Sequence, residues 1–366
     1  MSDTVTGVLK CSGRGPGVLR DLAKSFRQQR CDVRVPQSLI RKYKLSDGAT
    51  LTGPIKVGRD WDELKVIDSI CGLEPDAYMN RTPFQDLIAI NPDERFNLAV
   101  TGDTSMRIVD LIAPIGRGTR GLIVSPPKAG KTILLQQIAK SIHQDDPDTR
   151  IIVVLIDERP EEVTYFRRSV TADVLASSND QTAAEHVDLC ETTLAYVRTE
   201  LECGRNVVVL VDSLTRMGRA FNIKGSGTRR TMSGGMEAGA LEVPRQFFGL
   251  ARNVENGGSV TVIATALIDT GSRMDQLIFE EFKGTGNSEV VLSRSLAEAR
   301  IFPAIDLPAS GTRREEMLYG PDDTRRVANL RRELGKHKPD QAMPMLLHFL
   351  EKYPSNEEFL QVISKA

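Results

Sequence analysis

"GLIVSPPKAGKT", Gly121 to Thr132, is the stretch that decides the fold. A short apolar run, Leu122–Val124, ends in a loop of prolines and glycine, and Gly130-Lys131-Thr132 then opens a helical pattern. Strand, loop and helix in that order are the context in which a P-loop holds phosphates. Successive backbone N–H groups and the positive helix N-terminus grip the anion. Lys131 is then placed to reach β- and γ-phosphates, and the Thr132 hydroxyl to bind Mg²⁺. The usual first glycine of such a loop is Ser125 here, a residue still small enough for the turn.

Outward from this stretch the apolar runs are short and continuous. They are Ile151–Ile156, Val207–Val211, Val260–Leu267 and Val290–Leu292. Strands covered by helices on both faces read this way, which predicts a parallel α/β sheet with Thr132–His143 and Thr182–Glu202 as crossover helices. Two of the runs end in carboxylates. "VVVLVDS" ends in Asp212, placed to hold magnesium, and "IIVVLIDERPEE" ends in Asp157 and Glu158. In an open parallel sheet ligands sit at the carboxyl ends of strands, so these acids converge on the loop. Glu158 is the candidate for polarising the attacking water. The C-terminal part, Thr324–Ala366, reads as helical with breaks at Pro339 and Pro354.

Ahead of about residue 95 the pattern is different. Val5–Leu9, Val18–Arg20, Asp32–Val35, Thr50–Lys56 and Glu63–Ile70 read as strands, and Ser38–Leu45 as one short helix. Five short strands in so few residues suit a small barrel of the OB type. The expected division is 1–95 for the barrel and 96–366 for the α/β unit with its C-terminal helices. Residues 1–60 carry a net charge of +7 and the remainder −8, although the whole chain of 366 residues sums to −1. A basic barrel on an acidic body suggests a polyanion partner, the other reading being a solvated basic face.

The five cysteines, Cys11, Cys31, Cys71, Cys190 and Cys203, are scattered and form no C-x-x-C pair. A disulfide framework or zinc site is not expected, and a reducing cytoplasm fits. No apolar run reaches a membrane-spanning length, and the N-terminus lacks a signal-peptide layout.

The segments "DLIAPIGRGTRGLIVSPPKAGKT", "LIDERPEEVT", "VVLVDSLTRMGRAFN", "FFGLARNVENGGS", "IATALIDTGSRMDQLIFEEFKGTGN" and "RIFPAIDLPASGTRREE" together resemble the family of bacterial transcription termination factors Rho. The resemblance runs from about Gly7 to the C-terminal helices. It implies a RecA-type P-loop core in a homohexamer that hydrolyses ATP with Mg²⁺, threads single-stranded RNA through its centre and dislodges the RNA polymerase elongation complex. By that resemblance Lys128, Ala129, Gly130, Lys131, Thr132 and Ile133 contact nucleotide, as does Arg159. Glu158 is the catalytic glutamate and Asp212 the Walker-B acid. Arg313 is an arginine finger into the neighbouring subunit, Arg216 a second arginine across that interface, and Phe302 packs against adenine. Two loops resemble the family's channel RNA site, "GSGTRRTMSGG" with Arg230 and Thr231, and "EEFKGTGN" with Lys283 and Gly284.

The barrel departs from the family. The strand "GRGPGVLR", Gly13 to Arg20, keeps the glycine spacing of an RNA-binding strand, but Pro16 and Val18 stand where aromatics are usual. Arg34 and Asp60 stand at two further aromatic positions. Arg14, Arg20 and Arg34 suit phosphate contacts, and Pro16 should put its strand at an edge or bulge. Trp61, Phe26 and Tyr43 are the substitutes at hand for base stacking, with core burial the favoured reading for Trp61. The leading function is an RNA-translocating ATPase. Its rivals are a nucleic-acid-stimulated ring ATPase with an altered primary site and little termination activity, a non-hydrolysing nucleic-acid ring, and a rotary-ATPase subunit sharing the core.

Overall fold

The computed structural model describes residues 4–13, 15–225, 235–237 and 239–363. A small barrel comes first. Its strands are β1 (Thr4–Lys10), β2 (Gly17–Arg20), β3 (Arg34–Val35), β4 (Thr50–Lys56), β5 (Glu63–Leu64) and β6 (Ser69–Ile70), with α1 (Gln37–Lys42) between β3 and β4 and α2 (Pro75–Met79) after β6. The hydrogen-bonded order β1-β2-β3-β5-β4 closes on itself through β1–β4, and β6 adds to β4. Leu9, Leu19, Val35, Leu51, Leu64 and Ile70 fill the inside.

The barrel corrects two expectations. Glu63–Ile70 is not one strand. Ile55 faces Leu64 while Thr52 faces Ser69, so three steps along β4 are matched by five on its partner, and the extra residues bulge. Val66 is thereby turned outward and Ile67 inward. Nor does Pro16 put β2 at an edge. The strand begins just after it, at Gly17, and pairs on both sides. Pro16 needs no ladder bond there, and its carbonyl accepts from Ser12 Oγ at 2.6 Å.

The larger unit is built on β7 (Ala89–Ile90), β8 (Arg120–Ser125), β9 (Arg150–Glu158), β10 (Asp173–Ser178), β11 (Asn206–Asp212), β12 (Arg252–Val254), β13 (Ser259–Leu267), β14 (Ser288–Val291) and β15 (Gly311–Thr312). The sheet runs β10-β9-β11-β13-β8-β14-β15, and β12 joins β13 to β7. From β10 to β14 every neighbouring pair is parallel. Its helices are α3 (Thr104–Ile112), α4 (Lys131–Asp145), α5 (Pro160–Ser169), α6 (Ala183–Glu202), α7 (Leu214–Gly225), α8 (Glu242–Gly249), α9 (Arg273–Phe282), α10 (Arg294–Glu298) and α11 (Glu316–Tyr319). The continuous apolar runs are buried on both faces, as Val153 and Leu210 on one side and Val154 and Val211 on the other show. Each such side chain contributes about 1.5–3 kcal/mol.

The chain ends in α12 (Pro321–Leu334), α13 (Pro339–Lys352) and α14 (Asn356–Ile363). Arg107 of α3 fastens them. Its guanidinium donates to Leu350 O at 2.8 Å and Asn356 Oδ1 at 3.1 Å in the interior, and to Tyr353 O at 2.7 Å nearer the surface.

The barrel sits on α6. Thr199 Oγ1 donates to Asp47 O at 3.1 Å, and Arg81 Nε to Glu202 Oε2 at 2.9 Å. Gly48 has φ +85, and a Cβ there would lie 2.2 Å from the carbonyl carbon of Ala195. Only glycine fits that conformation and that approach. Phe26 is buried with its ring edge-on to Tyr196 of α6, centroids 5.8 Å apart, so it offers no stacking face to a ligand.

Candidate active site

Strand β8 delivers the P-loop. It ends at buried Ser125, whose hydroxyl donates to Pro126 O at 2.8 Å. Lys128 has φ +65 and Gly130 φ +99, the latter as the residue capping α4. A reversal of hand just ahead of a helix turns successive N–H groups toward one point, the anion-binding arrangement expected of this loop.

Of the strand-end carboxylates, Asp212 meets the P-loop directly. Lys131 Nζ lies 2.7 and 2.6 Å from the two oxygens of Asp212. Thr132 Oγ1 is 3.5 Å from Asp212 Oδ2, and Thr265 Oγ1 donates to Oδ1 at 2.9 Å. Thr265, on the strand between β11 and β8, fixes the rotamer of Asp212. Sequence reasoning passed over it because a threonine within "IATAL" has no mark of its own.

Glu158 ends β9 and is buried. Its Oε1 accepts from Arg159 N–H at 3.1 Å and lies 3.3 Å from Arg216 Nη2. Its Oε2 is buried with no hydrogen-bond partner. A buried carboxylate oxygen without a donor is costly in a folded protein, and such exceptions concentrate at reactive sites. Arg216 also donates to Asp157 O. Arg216 stands in the first turn of α7, which opens at Leu214, and within its own chain its side chain reaches Glu158. The Arg159 side chain is exposed.

Glu162 is a further member that the sequence reading missed. It lies in the first turn of α5, half-buried. Burial holds its carboxyl above the usual range, and repulsion from Glu158 and Asp212 adds to this against the pull of Lys131. Its spacing of four residues from Glu158 was the available signal.

Beside the loop, Ala129, Gly130, Ile133, Gln137, Phe302 and Pro303 line a cavity of about 210 Å³. Ile133 is 58% and Phe302 48% exposed, so two large apolar side chains face open space within reach of the P-loop. That suits a flat apolar base. Arg313 lines none of this. It follows β15, exposed, with its N–H on Asn287 O at 2.7 Å, in a separate cleft with Glu289 and Arg331.

The donor set fits magnesium. A hydroxyl and a carboxylate are hard oxygen ligands. Among the described residues no group of three or more His, Cys, Asp or Glu forms a metal site of its own. Mg²⁺ commonly takes one or two protein groups plus nucleotide phosphates.

On the barrel, Trp61 is 54% exposed, which overturns its reading as core, and the Arg34 guanidinium lies 3.7 Å from its ring centroid. Tyr43 is partly buried against the barrel core. Arg20 is corrected as a phosphate contact, because it is buried against Asp32 with Nη1 3.0 Å from Oδ2. Lys283 caps α9, exposed, 5.6 Å from the Phe279 ring centroid, and Gly284 follows with φ +123. Arg14, Arg230 and Thr231 lie outside the described residues.

A parallel sheet whose carboxyl edge presents a P-loop lysine and threonine, a strand-end aspartate and a buried strand-end glutamate is a P-loop ATPase. The sequence profile of the ATP synthase alpha/beta family, nucleotide-binding domain, matches residues 105–312. A type III secretion system ATPase of pathogenic bacteria has the same fold, with TM-score 0.65 and 22% identity over 85% of this chain and 93% of that one. Transcription termination factor Rho of Streptosporangium roseum is 46% identical over 98% of this chain and 89% of its own length. That of Haemophilus influenzae is 44% identical over 98% and 87%. That of Micrococcus luteus is 46% identical over 91% of this chain, which spans about half of that longer relative. The chain belongs to the transcription termination factor Rho family and is an ATP-hydrolysing enzyme.

Proposed function

We propose that the protein is an RNA-dependent ATPase and helicase of the Rho type. It terminates transcription by drawing single-stranded RNA through a ring of six copies and displacing RNA polymerase, in the cytoplasm. The observation that carries this reading is the convergence of Lys131, Thr132, Glu158 and Asp212 at one sheet edge while Arg313 stands exposed elsewhere, as a residue serving a neighbour would. The chain works as two units, an OB-type barrel over 1–95 and a RecA-type ATPase over 96–366. The short strand β7 ties the end of the first to the sheet of the second.

In this mechanism the P-loop from Lys128 to Thr132 and Arg159 hold the phosphates, and Ile133 and Phe302 sandwich the adenine. Thr132 and Asp212 would hold Mg²⁺, whose positive charge would offset that of the nucleotide's phosphates. Glu158 orients the attacking water and takes its proton on Oε2, while the Arg159 N–H and Arg216 fix Oε1. Arg313 of each subunit stabilises charge at its neighbour's γ-phosphate. Lys283 and Gly284, with Arg230 and Thr231, contact RNA phosphates in the channel, which carry no sequence information. Arg14 and Arg34 hold RNA on the barrel, and Trp61 supplies a stacking face.

ATP hydrolysis measured across a panel of RNA homopolymers tests this reading, with wild type and Lys283→Ala in parallel. Wild type is expected to be stimulated by RNA and the variant to keep its basal rate while losing most of the stimulation. RNA binding without hydrolysis would sink the motor, and unchanged stimulation in the variant would remove Lys283. Stimulation equal across all homopolymers would mean a barrel that holds RNA by charge alone. Trp61→Ala tests the barrel separately. Losing one stacking platform should weaken RNA binding by about 1–3 kcal/mol, with RNA-free ATPase unchanged. An unaltered affinity in a filter-binding titration would leave Trp61 as a bystander.

A further inference from the structure

The cavity beside the P-loop has a polar wall that its two large apolar side chains do not supply. Gln137 stands one turn beyond Ile133 on the same face of α4, and both line the cavity. Its amide is not free to turn. Nε2 donates to Asp103 Oδ2 at 2.9 Å in a partly buried contact. Asp103 is itself fixed, because it caps α3 and its Oδ1 accepts from the Met106 N–H at 3.1 Å. A carboxylate only accepts hydrogen bonds, so the amide must give its NH₂ to Asp103. The carbonyl Oε1 is then the end left for the cavity, and among the described residues no protein donor meets it. Ser105 lines the same cavity, but a hydroxyl both donates and accepts and so discriminates between neither kind of ligand group.

We propose that Gln137, held by Asp103, reads position 6 of the purine and makes the site selective for 6-amino over 6-oxo purine nucleotides. The proposal rests on the reading of this cavity as the adenine site. Ile133 and Phe302 take the two faces of a base, and apolar contact of that kind carries no donor–acceptor code. The purines differ at the edge. Adenine carries an amino group there that donates, and guanine or hypoxanthine a carbonyl oxygen that accepts. Gln137 Oε1 meets the first with a hydrogen bond and the second with oxygen against oxygen. Selectivity then comes from the repelled partner as well as from the accepted one. Asp103 does not line the cavity. It is a positioning residue, whose part is to keep the amide from turning over.

The test is displacement of a fluorescent ATP analogue from the full chain, with Mg²⁺ present, by unlabelled ATP, purine riboside triphosphate and inosine triphosphate. The second has hydrogen at position 6 and the third oxygen. In wild type ATP should compete best. Purine riboside triphosphate should be weaker by about two- to tenfold, the range of one hydrogen bond, and inosine triphosphate weaker again. Gln137→Ala should bring the three affinities together. Asp103→Asn is the sharper variant. The cap of α3 still needs an oxygen toward the Met106 N–H, so the new amide must turn its NH₂ to Gln137. Gln137 then accepts with Oε1 and offers its own NH₂ to the base, and inosine triphosphate should overtake ATP. Mere damage to the cap would weaken all three alike and keep their order. That outcome, or equal competition by the three in wild type, would overturn the proposal and leave the adenine-site reading standing. Failure of every nucleotide to displace the probe would overturn both. The wild-type ratios decide the matter even where a variant folds poorly.

Discussion

Glu158→Gln is expected to bind ATP normally and to turn it over roughly 10²–10⁴-fold more slowly, the range a positioned general base contributes. Glutamine is nearly isosteric with glutamate. Its carbonyl oxygen can still accept the Arg159 N–H that Glu158 Oε1 takes at 3.1 Å. What it cannot do is receive a proton on the second position, where Glu158 has its partnerless buried oxygen. The loss should therefore fall on turnover and not on nucleotide affinity. Equilibrium binding of a fluorescent ATP analogue and single-turnover hydrolysis separate the two. A variant with ordinary turnover would remove Glu158 from the chemistry, and one that failed to bind would make it a structural support of the P-loop.

Arg313→Ala is expected to cost roughly 10³-fold or more in hydrolysis, the scale on which an arginine finger acts. The structure sharpens how to prove that it works on a neighbour. Arg313 is exposed, in a cleft separate from the one that Ile133 and Phe302 line beside the P-loop of its own chain. Rings co-assembled from Arg313→Ala and Lys131→Ala subunits contain some interfaces with an intact P-loop on one side and an intact arginine on the other. Each variant alone should be nearly inactive, and the mixed rings should recover a fraction of the wild-type rate. Co-purified mixed rings as inactive as their parents would mean that the arginine serves its own subunit.

Legibility in the sequence followed physical causes. Strands β8, β9, β11 and β13 are covered on both faces, so each leaves an unbroken apolar run bounded by polar residues, and each was readable with ends within a residue or two. Strand β10, Asp173–Ser178, was not, since all of it but Val174 and Leu175 is polar or small and its burial comes from neighbours. The barrel's closing strands are two residues long, too short for any periodicity, so Glu63–Ile70 looked continuous. At the site, Lys131, Thr132, Glu158 and Asp212 sit where their strands end and could be placed by position alone. Orientation was another matter. Nothing in the order of residues says that Arg20 turns to Asp32, that Arg216 turns to Glu158, or that the Trp61 ring lies under a guanidinium in the open. The packing of Cys203 against the barrel's apolar cluster depends on the docking of two units, which no local pattern encodes.

The glycine at position 48 has a consequence for how the two units can change. No side chain intervenes where it meets Ala195, so the fit there is backbone against backbone. A joint of that kind has no adjustable part. Side-chain contacts can drift by trading a larger residue for a smaller one across the boundary, but this one admits a single residue on the barrel side whatever stands on the helix. A barrel from another protein grafted onto this ATPase would seat only if its own turn carried a glycine of the same hand at that point. The barrel is thus less a detachable module than one half of a mould cast with α6.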